Sequence, residues 1–89
     1  MSDEDKRLGF VSIIVENRRR VSAELNAILS EFGELIVARM GLPYEKRHCS
    51  VITLIVDATT DELGAFTGKL GMLKGLSVKS ALGKSRQSG

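Results

Sequence analysis

Two stretches rich in β-branched residues decide the fold of this chain: FVSIIV at residues 10–15 and VITLIV at residues 51–56. Both predict β-strands, whose successive side chains point to opposite faces of a sheet. One face of the first strand would present Phe10, Ser12 and Ile14, and the other face is apolar as well. Because both faces are largely apolar, both strands are expected to be covered on two sides.

The segments that follow these two strands predict helices. The first helix would begin after Asn17, a plausible N-cap, and run to about Phe32 with a single apolar stripe. The second would begin at a capping box formed by Thr59 and Glu62 and end at Gly71. Two helices are enough to cover one side of a small sheet.

Two further strands complete the predicted order. The four strands are placed at residues 9–15, 35–40, 48–58 and 76–82. The run Gly41-Leu42-Pro43 is expected to end the second strand, and Met72 and Leu73 are expected to pack down before the last one.

The order β-α-β-β-α-β predicts an α+β, ferredoxin-like βαββαβ fold. This is a two-layer sandwich in which a four-stranded antiparallel sheet carries both helices on one face. The domain is placed at residues 8–82, between flexible tails at 1–7 and 83–89. The uncovered face would expose Phe10, Ser12 and Ile14, which predicts a dimer or tetramer that buries ~800 Å² per partner there.

Composition excludes several classes of function. A net charge of +2 and an aromatic content of 4% argue against direct nucleic-acid binding. The one cysteine excludes an intrachain disulfide and fits a reducing compartment. No apolar run approaches the ~20 residues that cross a bilayer, so we expect a cytoplasmic protein with no membrane contact.

Two motifs resemble those of a known family. They are GAFTGKLGMLKGLSVK at residues 64–79 and RMGLP at residues 39–43, and the resemblance spans about residues 10–82. The chain resembles the iron-only hydrogenase system regulators, small proteins similar in fold to ACT domains and to the C-terminal domain of the nickel-responsive transcription regulator. The resemblance implies a ferredoxin-like fold, homo-oligomerisation and a regulatory role, and it implies no catalytic residues.

Candidate ligand residues are few. Gly68, Lys69 and Gly71 form the candidate ligand site, because mid-helix glycines are costly and suggest a close approach by a neighbour or a ligand. His48 is a weak metal candidate, since one histidine falls short of a closed site. No set of catalytic residues is recognisable, and no cofactor is expected.

The sequence therefore predicts a non-catalytic, oligomeric module that senses a small effector or binds a partner regulatory protein. A purely structural or assembly protein without a small ligand is the first alternative. A minor metal sensor that uses His48 is the second.

Overall fold

The computed structural model describes residues 6–16 and 18–84, without the side chains of residues 18–20. The predicted order of elements is confirmed, and two short 3₁₀ helices lie at Gly33–Leu35 and Glu45–Arg47. The six main elements are β1 (Arg7–Val15), α1 (Arg18–Glu31), β2 (Ile36–Tyr44), β3 (Cys49–Ala58), α2 (Thr60–Gly71) and β4 (Leu76–Leu82).

The four strands form one antiparallel sheet in the order β2-β3-β1-β4. The two most apolar strands, β1 and β3, are therefore its centre, as the ferredoxin-like arrangement requires. Their register pairs Phe10 with Ile55 and Ile14 with Val51. Because directly paired residues share a face, this register fixes the membership of both faces of the sheet.

One face of the sheet carries the core. Val11, Ile13 and Val15 of β1 are at most 1% exposed, and they cluster with buried residues of β3 and of both helices. The helical members of this core are Val21, Leu25, Leu29, Phe66 and Leu70. The rings of Phe32 and Phe66 lie 4.9 Å apart between their centroids and join the two helices. Both helices thus cover the same face, which confirms the predicted two-layer fold.

Helix α2 begins and ends at the predicted signals. The Thr59 hydroxyl accepts a hydrogen bond from the Glu62 N–H at 3.1 Å, and the Glu62 carboxylate accepts one from the Thr59 N–H at 2.9 Å. This reciprocal pair satisfies two N–H groups that the first helical turn leaves unbonded. The helix ends at Gly71, and Gly75, with φ of 83°, turns the chain into β4.

The structure corrects two details of the prediction. Strand β2 does not end at Gly41-Leu42-Pro43 but continues through them to Tyr44. Proline is compatible with this position because β2 is an edge strand, whose outward N–H groups need no partner in the sheet. Met72 does not pack down: it is 81% exposed just after α2, while Leu73 is half-buried.

Strand boundaries shift by a few residues elsewhere. β1 begins at Arg7, and the register of β2 with β3 shifts between Ile36 and Ala38, so that Val37 forms a bulge. The predicted N-cap Asn17 lies outside the described residues. Within the part of the chain that the structure describes, no helix has the length and apolar character needed to cross a membrane.

Candidate functional site

The face of the sheet opposite the helices, here called the open face, is not covered by any element of the described residues. Its members follow from the register of the four strands. They are Leu8, Phe10, Ser12 and Ile14 of β1, Cys49, Val51, Thr53, Ile55 and Asp57 of β3, Ala38, Met40, Leu42 and Tyr44 of β2, and Ser77, Lys79 and Ala81 of β4.

Large apolar side chains dominate the open face. Phe10 is 44% exposed, Ile14 43% and Ile55 45%, although all three lie on central strands. Met40 and Leu42 extend the apolar surface across β2. A contiguous apolar surface of this kind is typical of a site that binds another surface.

The centre of the open face carries a pair of hydroxyl groups. Ser12 and Thr53 are register partners on the two central strands, and their side-chain oxygens lie 3.3 Å apart, within hydrogen-bond distance. Lys79 on β4 is the register partner of Ser12 on its other side. The apolar face therefore contains one polar row, made of Thr53, Ser12 and Lys79.

The sequence-predicted ligand residues lie on α2, on the other side of the molecule. Gly68 and Gly71 are exposed, and a Cβ placed on either would meet no atom within 4 Å. No close approach within the described residues therefore explains these glycines. The Lys69 ammonium forms an ion pair with the Glu31 carboxylate at 2.9 Å, and this pair joins α2 to α1.

The metal candidate lies at the tip of the β2–β3 hairpin. His48 is exposed and adopts left-handed backbone geometry, with φ of 55°, just before β3. Cys49 follows as the register partner of Tyr44 at the end of the open face. Among the described residues, no group of three or more His, Cys, Asp or Glu side chains could hold a metal ion.

A cleft of about 610 Å³ lies between the end of α1 and the start of α2. Phe32 and Leu35 contribute apolar lining, and the four carboxylates that line it are Glu31, Glu34, Asp61 and Glu62. Two of these already have cationic partners, because Lys69 binds Glu31 and Lys6 lies 3.3 Å from Glu62. The backbone hydrogen bond from Thr59 and, to a lesser extent, Lys6 hold the pKa of Glu62 below its usual value.

The sequence analysis identified only the β1 members of the open face. Thr53 and Ile55 belong to it because of the β1–β3 register, which hydrophobic alternation alone does not specify. Leu42 was missed because Gly41 and Pro43 indicated a strand end. Met40 lay inside the predicted strand, but its face depends on the β2–β3 register. Predicting the polar row would also have required the β1–β4 register, which places Lys79 beside Ser12.

Comparisons with known proteins agree with this fold. A family profile named TM1266-like, described as "Iron-only hydrogenase system regulator, putative", matches residues 7–80. The structure is similar to that of the uncharacterized protein TM1266 from Thermotoga maritima, with 34% identity, a TM-score of 0.85, and coverage of 90% of this chain and 100% of that one.

A more distant likeness is to CutA1 from Oryza sativa. The identity is 17%, the TM-score 0.52, and the match covers 93% of this chain and 84% of that one. This likeness concerns the fold alone. No curated protein matches this chain.

Proposed function

The chain belongs to the TM1266-like family, and we propose that it is a cytoplasmic, non-catalytic regulatory module that assembles with copies of itself through the open face. In this role it senses a small effector or a partner regulatory protein, in the manner of ACT-like domains and of the nickel regulator's C-terminal domain. The observation that carries the proposal is the uncovered apolar surface on the two central strands.

The size of the open face supports a second copy as its occupant. Four strands about 4.8 Å apart, with rows of side chains from Leu8 to Tyr44, give a projected face of roughly 20 by 25 Å. The accessible area of such a corrugated surface exceeds its projection, and it approaches the ~800 Å² per partner of a stable interface. Phe10, Ile14 and Ile55 lie toward its middle.

Charge also favours self-association. The open face carries two ionisable side chains at its margins apart from Tyr44 and Cys49: Asp57 near the end of β3 and Lys79 on the edge strand β4. An uncharged centre with charge confined to the rim is typical of interfaces between identical subunits. A symmetric pair, in which the same patch serves both copies, is the commonest solution for such a surface.

Regulation would act through the geometry of this interface. A ligand shifts an equilibrium between two arrangements only if it binds one of them more tightly. A site formed at or near the contact between copies meets this condition directly. The predicted site at Gly68, Lys69 and Gly71 remains a candidate for an effector or for a neighbouring copy.

The composition supports a role without catalysis. The sequence contains one histidine and one cysteine, and they are adjacent at His48 and Cys49. Because His48 lies at an exposed hairpin tip, it has no enclosing pocket of the kind that positions a general base.

The experiment is sedimentation of the whole chain and of two matched variants at micromolar concentration. The double change Phe10→Ser and Ile14→Ser should raise the dissociation constant by about 100-fold or more. In a symmetric dimer it removes four apolar side chains from the interface, and the loss of each should weaken binding by ~1 kcal/mol. Met72→Ser, which removes an apolar side chain that is 81% exposed on another surface, should leave the dissociation constant unchanged.

Two results would contradict the proposed assembly. The first is an unmodified chain that sediments as a single copy at all concentrations. The second is equal weakening by both variants, with circular dichroism showing that both are folded. Native mass spectrometry of the assembled chain then distinguishes an effector sensor from a purely structural module. An additional discrete mass bound to the oligomer supports an effector, and an oligomer without bound mass supports assembly alone.

A further inference from the structure

The polar row across the open face has an unusual position for polar groups. Thr53, Ser12 and Lys79 are consecutive register partners on β3, β1 and β4, so their Cα atoms follow one another at about 5 Å. Phe10 and Ile55 form the neighbouring row on one side. The row on the other side contains Ile14 and Val51, so the polar row runs between two apolar ones.

This row has more hydrogen-bond donors than acceptors to match them. Only one hydroxyl proton can lie between Ser12 Oγ and Thr53 Oγ1, so the second hydroxyl keeps a free proton. Lys79 contributes three further donors, and among the described residues it has no hydrogen-bond or ion-pair partner. A cluster of donors that carries one positive charge favours an anionic acceptor.

Assembly would strengthen the preference of this row for an anionic acceptor. A second copy on the open face removes water from the hydroxyl pair and from part of Lys79, and a buried cation without a partner is costly. Asp57, the carboxylate on the same face, lies two rows away along β3 and on the far side of β1. It is therefore too far along the sheet to neutralise Lys79 within one chain.

We propose that Thr53, Ser12 and Lys79 form a binding subsite for a small monocarboxylate with a short apolar chain. The carboxylate would accept hydrogen bonds from the Lys79 ammonium and the free hydroxyl, and the apolar chain would lie against Phe10 and Ile55. This inference rests on the proposed function, because the second copy supplies the cover that excludes water. It names the chemical class of an effector that binds at the interface itself.

A single charge and apolar neighbours favour this ligand class over phosphate. One ammonium balances one carboxylate, whereas inorganic phosphate carries more than one negative charge near neutral pH. The apolar rows provide no hydrogen bonds to offset the cost of removing water from a phosphate. A longer apolar chain on the carboxylate should therefore strengthen binding up to the width of the interface.

The test is calorimetric titration of the assembled chain with butyrate, with inorganic phosphate as a second probe. Butyrate should bind saturably in the millimolar range and more tightly than phosphate. Lys79→Met should weaken butyrate binding by about tenfold or more, which is the loss of one charge-assisted hydrogen bond. Thr53→Val should weaken it by a smaller factor.

Lys74→Met is the matched control, because it makes the same change at an exposed lysine that belongs to neither candidate site. It should leave butyrate binding unchanged. Lys69→Met, in the other candidate site, tests the rival location of the ligand. Butyrate binding lost in Lys69→Met but kept in Lys79→Met would overturn the inference. Tighter binding of phosphate than of butyrate would overturn the assigned ligand class.

Sedimentation of the same samples separates the two proposals. An assembled chain that shows no saturable butyrate binding overturns the subsite and leaves the assembly standing. A chain that sediments as a single copy overturns both, because the cover is then missing. Assembly together with binding that depends on Lys79 supports both.

Discussion

The two faces of the central strands have similar compositions and opposite environments. Ile13 and Leu54 are fully buried, while their sequence neighbours Ile14 and Ile55 are 43% and 45% exposed. The two members of each pair are adjacent on one strand, and their side chains point to opposite faces of the sheet. Burial within this chain is therefore decided by which face the helices cover, and residue type alone does not predict it.

The largest expected effect is the loss of stability when an apolar side chain is truncated on the covered face and not on the open face. Leu54→Ala should lower the free energy of unfolding by about 2–5 kcal/mol at every protein concentration, because it leaves a cavity beneath the helices. Ile55→Ala should lower it chiefly at concentrations where the chain assembles, since binding adds to apparent stability by mass action. Urea denaturation across a range of protein concentrations measures both.

Equal and concentration-independent losses in the two variants would remove the distinction between the faces. Ile55 would then contribute to the stability of the single chain as Leu54 does, and it would not mark a surface that a partner covers.

The second effect tests the close packing of the covered face at the β1–β4 contact. A Cβ at Gly9 would overlap the carbonyl oxygen of Ala81 and lie 2.9 Å from Leu82 Cα. Gly9→Ala should therefore lower the free energy of unfolding by about 1–3 kcal/mol through overpacking. Gly41→Ala on β2 is the control, because a Cβ there meets no atom within 4 Å. It should lower the free energy of unfolding by less than about 0.5 kcal/mol, and thermal unfolding measures both variants.

A smaller effect concerns the cap that starts α2 above the covered face. Thr59→Ala removes the hydroxyl that accepts from the Glu62 N–H, and it should lower the free energy of unfolding by about 1 kcal/mol. Sedimentation should be unaffected, because Thr59 lies on the helical side of the molecule. A change in the dissociation constant as large as that for the double change Phe10→Ser and Ile14→Ser would show that the two sides are coupled.

The smallest effect is a dependence on pH at the same cap. The pKa of Glu62 is lower in the folded chain than its usual 4.5, chiefly because of the Thr59 N–H hydrogen bond. Its stabilisation is therefore present above the unfolded pKa and is lost as pH falls through the folded one. Thermal unfolding should show the wild type more stable than Glu62→Gln at neutral pH, with the difference vanishing in strong acid.

The sequence predicted the covered side of the molecule almost completely, because each of its signals is local. The capping box at Thr59 and Glu62, the stop at Gly71 and the apolar stripe of α1 all depend on residues within a few positions of one another. The open face was predicted through Phe10 and Ile14. Its full extent was not, because Ile55 and Lys79 join it only through strand register.

The two wrong predictions, the end of β2 and the packing of Met72, have a common physical cause. Gly41 and Pro43 weaken most strands, but an outer strand tolerates both because its free edge needs no ladder hydrogen bonds. Met72 is apolar and sits at a helix end, yet nothing in the described chain covers it. In both cases the three-dimensional position of the residue, and no property of its neighbours in sequence, decides the outcome.

The outer edge of β2 carries a further consequence for how this protein can associate. The bulge at Val37 and the missing N–H of Pro43 interrupt the row of free backbone groups near both ends of that strand. Such interruptions hinder the strand-by-strand addition that produces open-ended filaments. Copies that meet through their open faces would then form closed particles of fixed size, because neither copy offers β2 as an uninterrupted edge for a further strand.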